Sequence, residues 1–176
     1  MEKLIDLLKK QPRNMAIAEL IQCAEDTSDI ELSESMELLT GVWELRWSSA
    51  SQPWLKQADW LENLQVLDPV NGRGMNLLRL AGPLGTAAAV TVEAELSING
   101  PQRVGVRFRR GGWRGPLLPG GRRLEVFKAV NQSFPAWLDI TVLTNDLRIC
   151  RGNAGTTFAL LKRHDKSISD FLPTSP

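Results

Sequence analysis

The chain has 176 residues, enough for one domain with a real core plus an accessory segment, and its 43% hydrophobic content is that of a folding protein. Its net charge of +1 argues against a general nucleic-acid binder. Two cysteines without framework spacing argue against a disulfide scaffold, and no apolar run reaches the roughly 18 residues of a membrane-spanning helix.

The first segment has helical spacing. Residues 2–10 put Leu4, Ile5, Leu7 and Leu8 on one side of a short helix that Gln11-Pro12 stops. Asn14 is placed to cap a second helix carrying Ile17, Leu20, Ile21 and Ala24, and Ser33 a third carrying Met36 and Leu39. From Asn14 to Leu45 there is no Lys or Arg, while Glu19, Glu25, Asp26, Asp29, Glu31, Glu34, Glu37 and Glu44 accumulate. These acids are either a solvated face or a docking surface for a basic partner protein. Residues 1–39 are expected to form a helical extension packed beside or under a barrel. The N-terminus lacks a signal peptide's apolar core and a transit peptide's Ser-rich, acid-poor composition.

The period then changes to two. Strands are expected from Gly41 to Ser49, Trp60 to Leu67 and Met75 to Leu80, with a break at Ser51-Gln52-Pro53, a loop or short helix carrying Trp54, and turns at Asn71-Gly72 and Gly82-Pro83-Leu84-Gly85. The clearest hairpin comes next. Val90, Val92, Ala94, Leu96 and Ile98 alternate with polar residues, Asn99-Gly100-Pro101 turns the chain, and Val104, Val106 and Phe108 alternate with Arg103, Gly105, Arg107 and Arg109. Arg110 to Gly121 reads as a Gly/Pro-rich loop. Strands resume at Leu124–Ala129, Ala136–Leu143, Leu147–Arg151 and Thr156–Arg163, and residues 164–176 are expected to be a mobile tail. About eight or nine antiparallel strands over residues 40–163 suit a small closed barrel, the lipocalin-like type whose mouth holds one small ligand.

Catalytic signals are sparse. The only histidine is His164, which removes triads of the Ser-His type and multi-histidine metal sites, and no phosphate-loop spacing or nucleophile elbow occurs. No cofactor or metal is called for. Trp43 on the opening strand and Arg148 or Arg151 on a late strand pair naturally as a cation–π lid on a barrel floor, with Gly41 beside them. Trp47 shares Trp43's face by strand alternation and, with Val92, Val106, Phe108 and Ile140, is a candidate wall residue of an interior ligand site. From Leu96 to Leu124 there is no acid but there are seven arginines. The loop within this stretch presents Trp113, Leu117 and Leu118 among Arg110, Arg114, Arg122 and Arg123, a composition suited to an anionic membrane surface. Arg-Gly-Gly segments with aromatics also bind RNA, but the acidic half of the chain disfavours that reading.

Two segments carry a family resemblance. Leu39-x-Gly41-x-Trp43-x-Leu45 followed by Ser48-Ser49, and Leu138-Asp139 followed by Asp146-Leu147-Arg148-Ile149, Arg151-Gly152-Asn153, Gly155 and Phe158, are similar to the opening and closing signatures of the plastid lipid-associated protein, or fibrillin, family. The likeness spans roughly Leu38 to Arg163 and is weak between its ends. Val142 stands where the family usually has tyrosine, and Cys150 where a glycine is common. The resemblance implies a non-enzymatic binder of a hydrophobic metabolite, such as a fatty acid, prenylquinone or carotenoid. It implies a cytoplasmic or stromal-type compartment, peripheral to thylakoid membrane or lipid droplets, and with no transit peptide visible a cyanobacterial or processed member. The alternative is a filled barrel serving as scaffold for a membrane-bound enzyme, and cavity volume discriminates the two.

Overall fold

The computed structural model describes residues 1–50, 60–82, 89–120, 122–132 and 136–172. Trp54 and the expected turn beyond Gly82 lie outside the described residues. Three helices come first, α1 (Glu2–Lys10), α2 (Ala16–Asp26) and α3 (Met36–Leu39). In α1, Leu4 and Leu8 are buried at i, i+4 spacing, and in α2 Ile17, Ile21 and Ala24 are buried at i, i+4, i+7 spacing. Asn14 Oδ1 accepts from the Ala16 N–H at 3.0 Å, so Asn14 does supply a capping acceptor at the start of α2. Ser33 does not cap α3: its side chain bonds Glu31, and the helix begins after Ser35.

Among the described residues, nine strands come after the helices: β1 (Gly41–Ser48), β2 (Leu61–Asp68), β3 (Arg73–Leu80), β4 (Ala89–Ile98), β5 (Arg103–Leu117), β6 (Arg123–Ala129), β7 (Ala136–Leu143), β8 (Leu147–Gly152) and β9 (Thr157–Lys162). All pairings are antiparallel, in the order β4-β3-β2-β1-β9-β8-β7-β5, and β4 pairs with β5 to close eight strands into a barrel. Apart from β6, each strand neighbours the next in sequence, an up-and-down arrangement that leaves no open edge within the ring. The ninth strand, β6, is added on the far half of β5.

That addition corrects the expected loop at 110–121. The first residues of the long β5, Arg103 to Val106, pair with β7, whereas Arg110 to Leu117 pair with β6. Between the two, the Gln132 side chain supplies the missing bonds, accepting from the Phe108 N–H at 2.6 Å and donating to Val106 O at 3.2 Å. The glycines of this stretch serve close backbone packing rather than irregular chain. A β-carbon on Gly112 would lie 1.9 Å from Val126 O.

The helices lie against the outside of the barrel. Leu4, Leu8, Ile17, Ile21 and Ala24 pack on Val142, Leu147, Ile149, Ala159 and Leu161, the outward side chains of β7, β8 and β9. Each such leucine or isoleucine contributes about 1.5–3 kcal/mol by leaving water. A second outer face, built from Val42, Leu64, Val66, Met75, Leu77 and Ala89, is covered by Phe171 and Leu172. The expected mobile tail is therefore docked as far as Leu172. A capping box between Ser167 and Asp170 forms one turn at Ile168–Asp170, and the two apolar residues after it are 8% and 6% exposed. The third cluster lies at the barrel centre, with Trp43, Leu45, Leu67, Val104, Ile140, Cys150 and Leu160.

Candidate functional site

The barrel floor is built around Trp43. Its indole is fully buried, and its Nε1 donates to Leu39 O at 2.9 Å, tying α3 to β1. The Arg148 guanidinium carbon lies 5.2 Å from the ring centroid and Lys162 Nζ lies 5.0 Å from it. Lys162 also donates to Leu38 O at 2.9 Å. Gly41 has a φ of +140°, and a β-carbon there would lie 2.7 Å from Lys162 Cε, so the lysine chain occupies the space that any larger residue would need. Burial pushes the Arg148 guanidinium down from its ordinary basicity. Burial likewise pushes Lys162 down, Asp146 opposing and Arg148 adding to the shift.

Arg151 is not part of this floor. Residues three apart on a strand face opposite ways, so Arg148 points in and Arg151 out. Arg151 Nε donates to Glu25 Oε1 at 2.9 Å, with a second contact from Nη2 to Glu25 Oε2, and Thr141 Oγ1 donates to Glu25 Oε1 at 2.7 Å. It is a clamp between α2 and β8. Burial works against the Glu25 carboxylate, but the hydrogen bonds from Arg151 and Thr141, with Arg151's charge, hold its carboxyl below the usual value.

Above the floor is a cavity of about 350 Å³. Its walls are mostly apolar: Leu45, Leu96, Val106, Phe108, Ile140 and Phe158. Polar side chains enter from Asn63, Gln65, Asn76 and Arg148. Exposed Asn76, Asn153 and Ala154 also border it, so the cavity reaches the surface beside the β8–β9 turn.

Three of the five expected wall residues, Val106, Phe108 and Ile140, line this cavity. Trp47 does not. The β1–β9 register shifts between Leu45 and Trp47, so the simple alternation from Trp43 fails and Trp47 packs outside against the helix cluster. Val92 is half-buried at the rim, its Cγ2 3.6 Å from where a β-carbon on Gly111 would sit, and does not line the cavity. The sequence reading missed Asn63 and Gln65 because every expected wall residue was apolar. Alternation from Leu67 would have placed both inside.

The expected membrane-contact residues separate into groups. Arg110 is exposed, with Nε 2.6 Å from Glu93 Oε2. Arg114 is only 9% exposed and turns to the outer face, its Nη1 donating to Phe171 O at 3.2 Å and its Nε 2.8 Å from Glu125 Oε1. It is thus a brace for the docked tail, not a surface cation. Leu118 and Arg122 are exposed, while the side chains of Leu117 and Arg123 lie outside the described residues. Trp113 is partly exposed and sits in a cross-strand row with Val90 on β4 and Val126 on β6, both exposed. By alternation from Ala94 and Leu96, Val90 has the inward parity, so this row carries the barrel's inner face beyond its mouth.

Among the described residues, no group of three or more His, Cys, Asp or Glu is placed to hold a metal ion, and no helix is long and apolar enough to cross a membrane. His164 is exposed, its Nε2 2.8 Å from Asp146 Oδ1.

A family model described as PAP_fibrillin matches residues 7–161. Among named proteins, the chain is 25% identical to a chromoplast-specific carotenoid-associated protein of Cucumis sativus, over 78% of this chain and 56% of that one. It is 27% identical to the probable plastid-lipid-associated protein 2 of Arabidopsis thaliana, over 74% and 56%. It is 26% identical to a light-induced chloroplast protein of Solanum demissum, over 74% and 54%. The chain therefore spans little more than half the length of these relatives. No solved structure matches it significantly.

Proposed function

The chain belongs to the plastid lipid-associated protein, or fibrillin, family, and we propose that it is a non-enzymatic carrier of a single hydrophobic chain, acyl or isoprenoid, held in the barrel. The observation that carries this reading is the apolar cavity of about 350 Å³, which falls in the size range of small-molecule sites and reaches the surface. A scaffold needs no such space. The names of the relatives, one for carotenoid association and one for plastid lipids, support the same class of cargo.

At the roughly 30 Å³ that a water-sized group occupies in a condensed phase, the cavity takes about 12 heavy atoms. One medium acyl chain or a few isoprene units fit. A longer molecule leaves its remainder outside, against the exposed row of Val90, Trp113 and Val126. That row and the exposed Leu118, Leu124, Arg109, Arg110 and Arg122 form the edge that rests on an anionic membrane or lipid-droplet surface while cargo enters and leaves. A thylakoid-type membrane suits the chloroplast and chromoplast names of the relatives.

Filling the cavity tests the carrier reading. Ala94 lines it from β4, and Ala94→Trp adds bulk inside the barrel without touching the outer cores. Titration of 1-decanol, followed by tryptophan fluorescence or calorimetry, is expected to give one site in the wild type and at least about tenfold weaker binding in the variant. Equal binding by a folded variant would place the ligand elsewhere and remove the barrel as the carrier site.

A further inference from the structure

Arg148 is fully buried, yet its Nε and Nη1 meet no hydrogen-bond acceptor among the described residues. The polar group it does meet is neutral: Nη2 donates to Gln65 Oε1 from the facing wall. Among the described residues, no carboxylate forms an ion pair with it. A second cation, Lys162, shares the same indole. Cys150, on the same inward face of β8, is held as a neutral thiol by burial and so supplies no counter-charge. A guanidinium kept from water without an anion is costly, and the cost falls only when an acceptor arrives. Both Arg148 and Gln65 form part of the cavity lining.

We propose that Arg148 is the headgroup anchor of the cavity, and that the cargo is an amphiphile with a carboxylate end, bound head-first. The carboxylate displaces the Gln65 amide and accepts charge-assisted hydrogen bonds from the guanidinium, while the hydrocarbon lies along Leu45, Leu96, Val106, Phe108, Ile140 and Phe158 toward the mouth. The indole of Trp43 packs against the guanidinium from the floor side. This inference rests on the carrier reading and adds the chemical class of the cargo's polar end. In the wild type it separates two ligands that fill the barrel equally and differ only in their heads.

The experiment compares decanoate with 1-decanol at pH 8, in the wild type, Arg148→Met and Gln65→Glu. Decanoate is expected to bind the wild type about tenfold or more tightly than the alcohol, the range of a charged hydrogen bond. Arg148→Met is expected to abolish the preference while still binding the alcohol. Gln65→Glu places a carboxylate against the guanidinium and is expected to remove the preference for the acid, so the inference stays testable if Arg148→Met does not fold. Equal binding of acid and alcohol to the wild type overturns the anchor and leaves Arg148 as barrel closure alone, with the carrier reading intact. Failure of both ligands to bind the wild type overturns both readings.

Discussion

At the scale of single residues, two arginines three positions apart do unlike work because a strand turns alternate residues to opposite faces. Arg148 goes to the core with Trp43, and Arg151 goes to the surface and clamps Glu25 of α2. The clamp makes helix docking sensitive to acid. The Glu25 carboxyl is held below its ordinary value of 4.5, so its contribution is fully present above that pH and is lost as pH falls through the lower folded value. Glu25→Gln is expected to lower the denaturation midpoint at pH 7 and to flatten its dependence on pH below about 4.5, because the titrating partner is gone. Urea melts from pH 7 to pH 3 check this, and an unchanged acid slope in the variant would show that other carboxylates control helix docking.

At the scale of elements, most of the architecture was legible and the irregularities were not. The alternation of Val104, Val106 and Phe108 marked β5, Asn99-Gly100-Pro101 marked its turn, and Ile17, Ile21 and Ala24 marked the buried stripe of α2. Period-two patterns fail at bulges, which carry no reliable local signal. One extra residue between Leu45 and Trp47 moved an indole from the cavity to the helix face. The Gly-rich run after Arg109 was read as a loop because glycine is depleted in strands. What decides it is a partner, β6, whose backbone comes too close for side chains at Gly112. Phe171 and Leu172 likewise dock through tertiary contacts with β1 to β4 that no local pattern announces.

The β5–β6 hairpin is where the membrane reading belongs. Trp113, Leu124 and Val126 are 38%, 49% and 66% exposed, so replacing them disturbs little of the core. Trp113→Ser with Val126→Ser is expected to shift the urea midpoint only slightly, and to weaken cosedimentation with vesicles containing anionic lipid by about tenfold. Added salt is expected to weaken the wild type's binding as well. Unaltered sedimentation of the double variant would move the membrane-facing edge to another part of the surface.

At the scale of the whole molecule, closure of eight strands solves two problems together. It removes open edges from the ring, and it creates an interior too wide for its own side chains to fill. The outer surface is then free for other uses: the helices cover β7, β8 and β9, the C-terminal segment covers β1 to β4, and the β5–β6 hairpin keeps Trp113, Leu124 and Val126 exposed. Floor, wall and mouth thus come from different parts of the sequence, which explains why signatures at Gly41-Val42-Trp43 and at Arg148 revealed the floor while the mouth required the structure.

The most direct measurement is native mass spectrometry with lipid extraction, on the wild type and Ala94→Trp isolated from the same cells in which the chain is naturally made. One acyl or isoprenoid molecule per chain in the wild type, and none in the variant, is what a barrel carrier requires. A clean unliganded mass for both, unchanged after incubation with lipids from those cells, would rule the carrier out and leave the barrel as a scaffold.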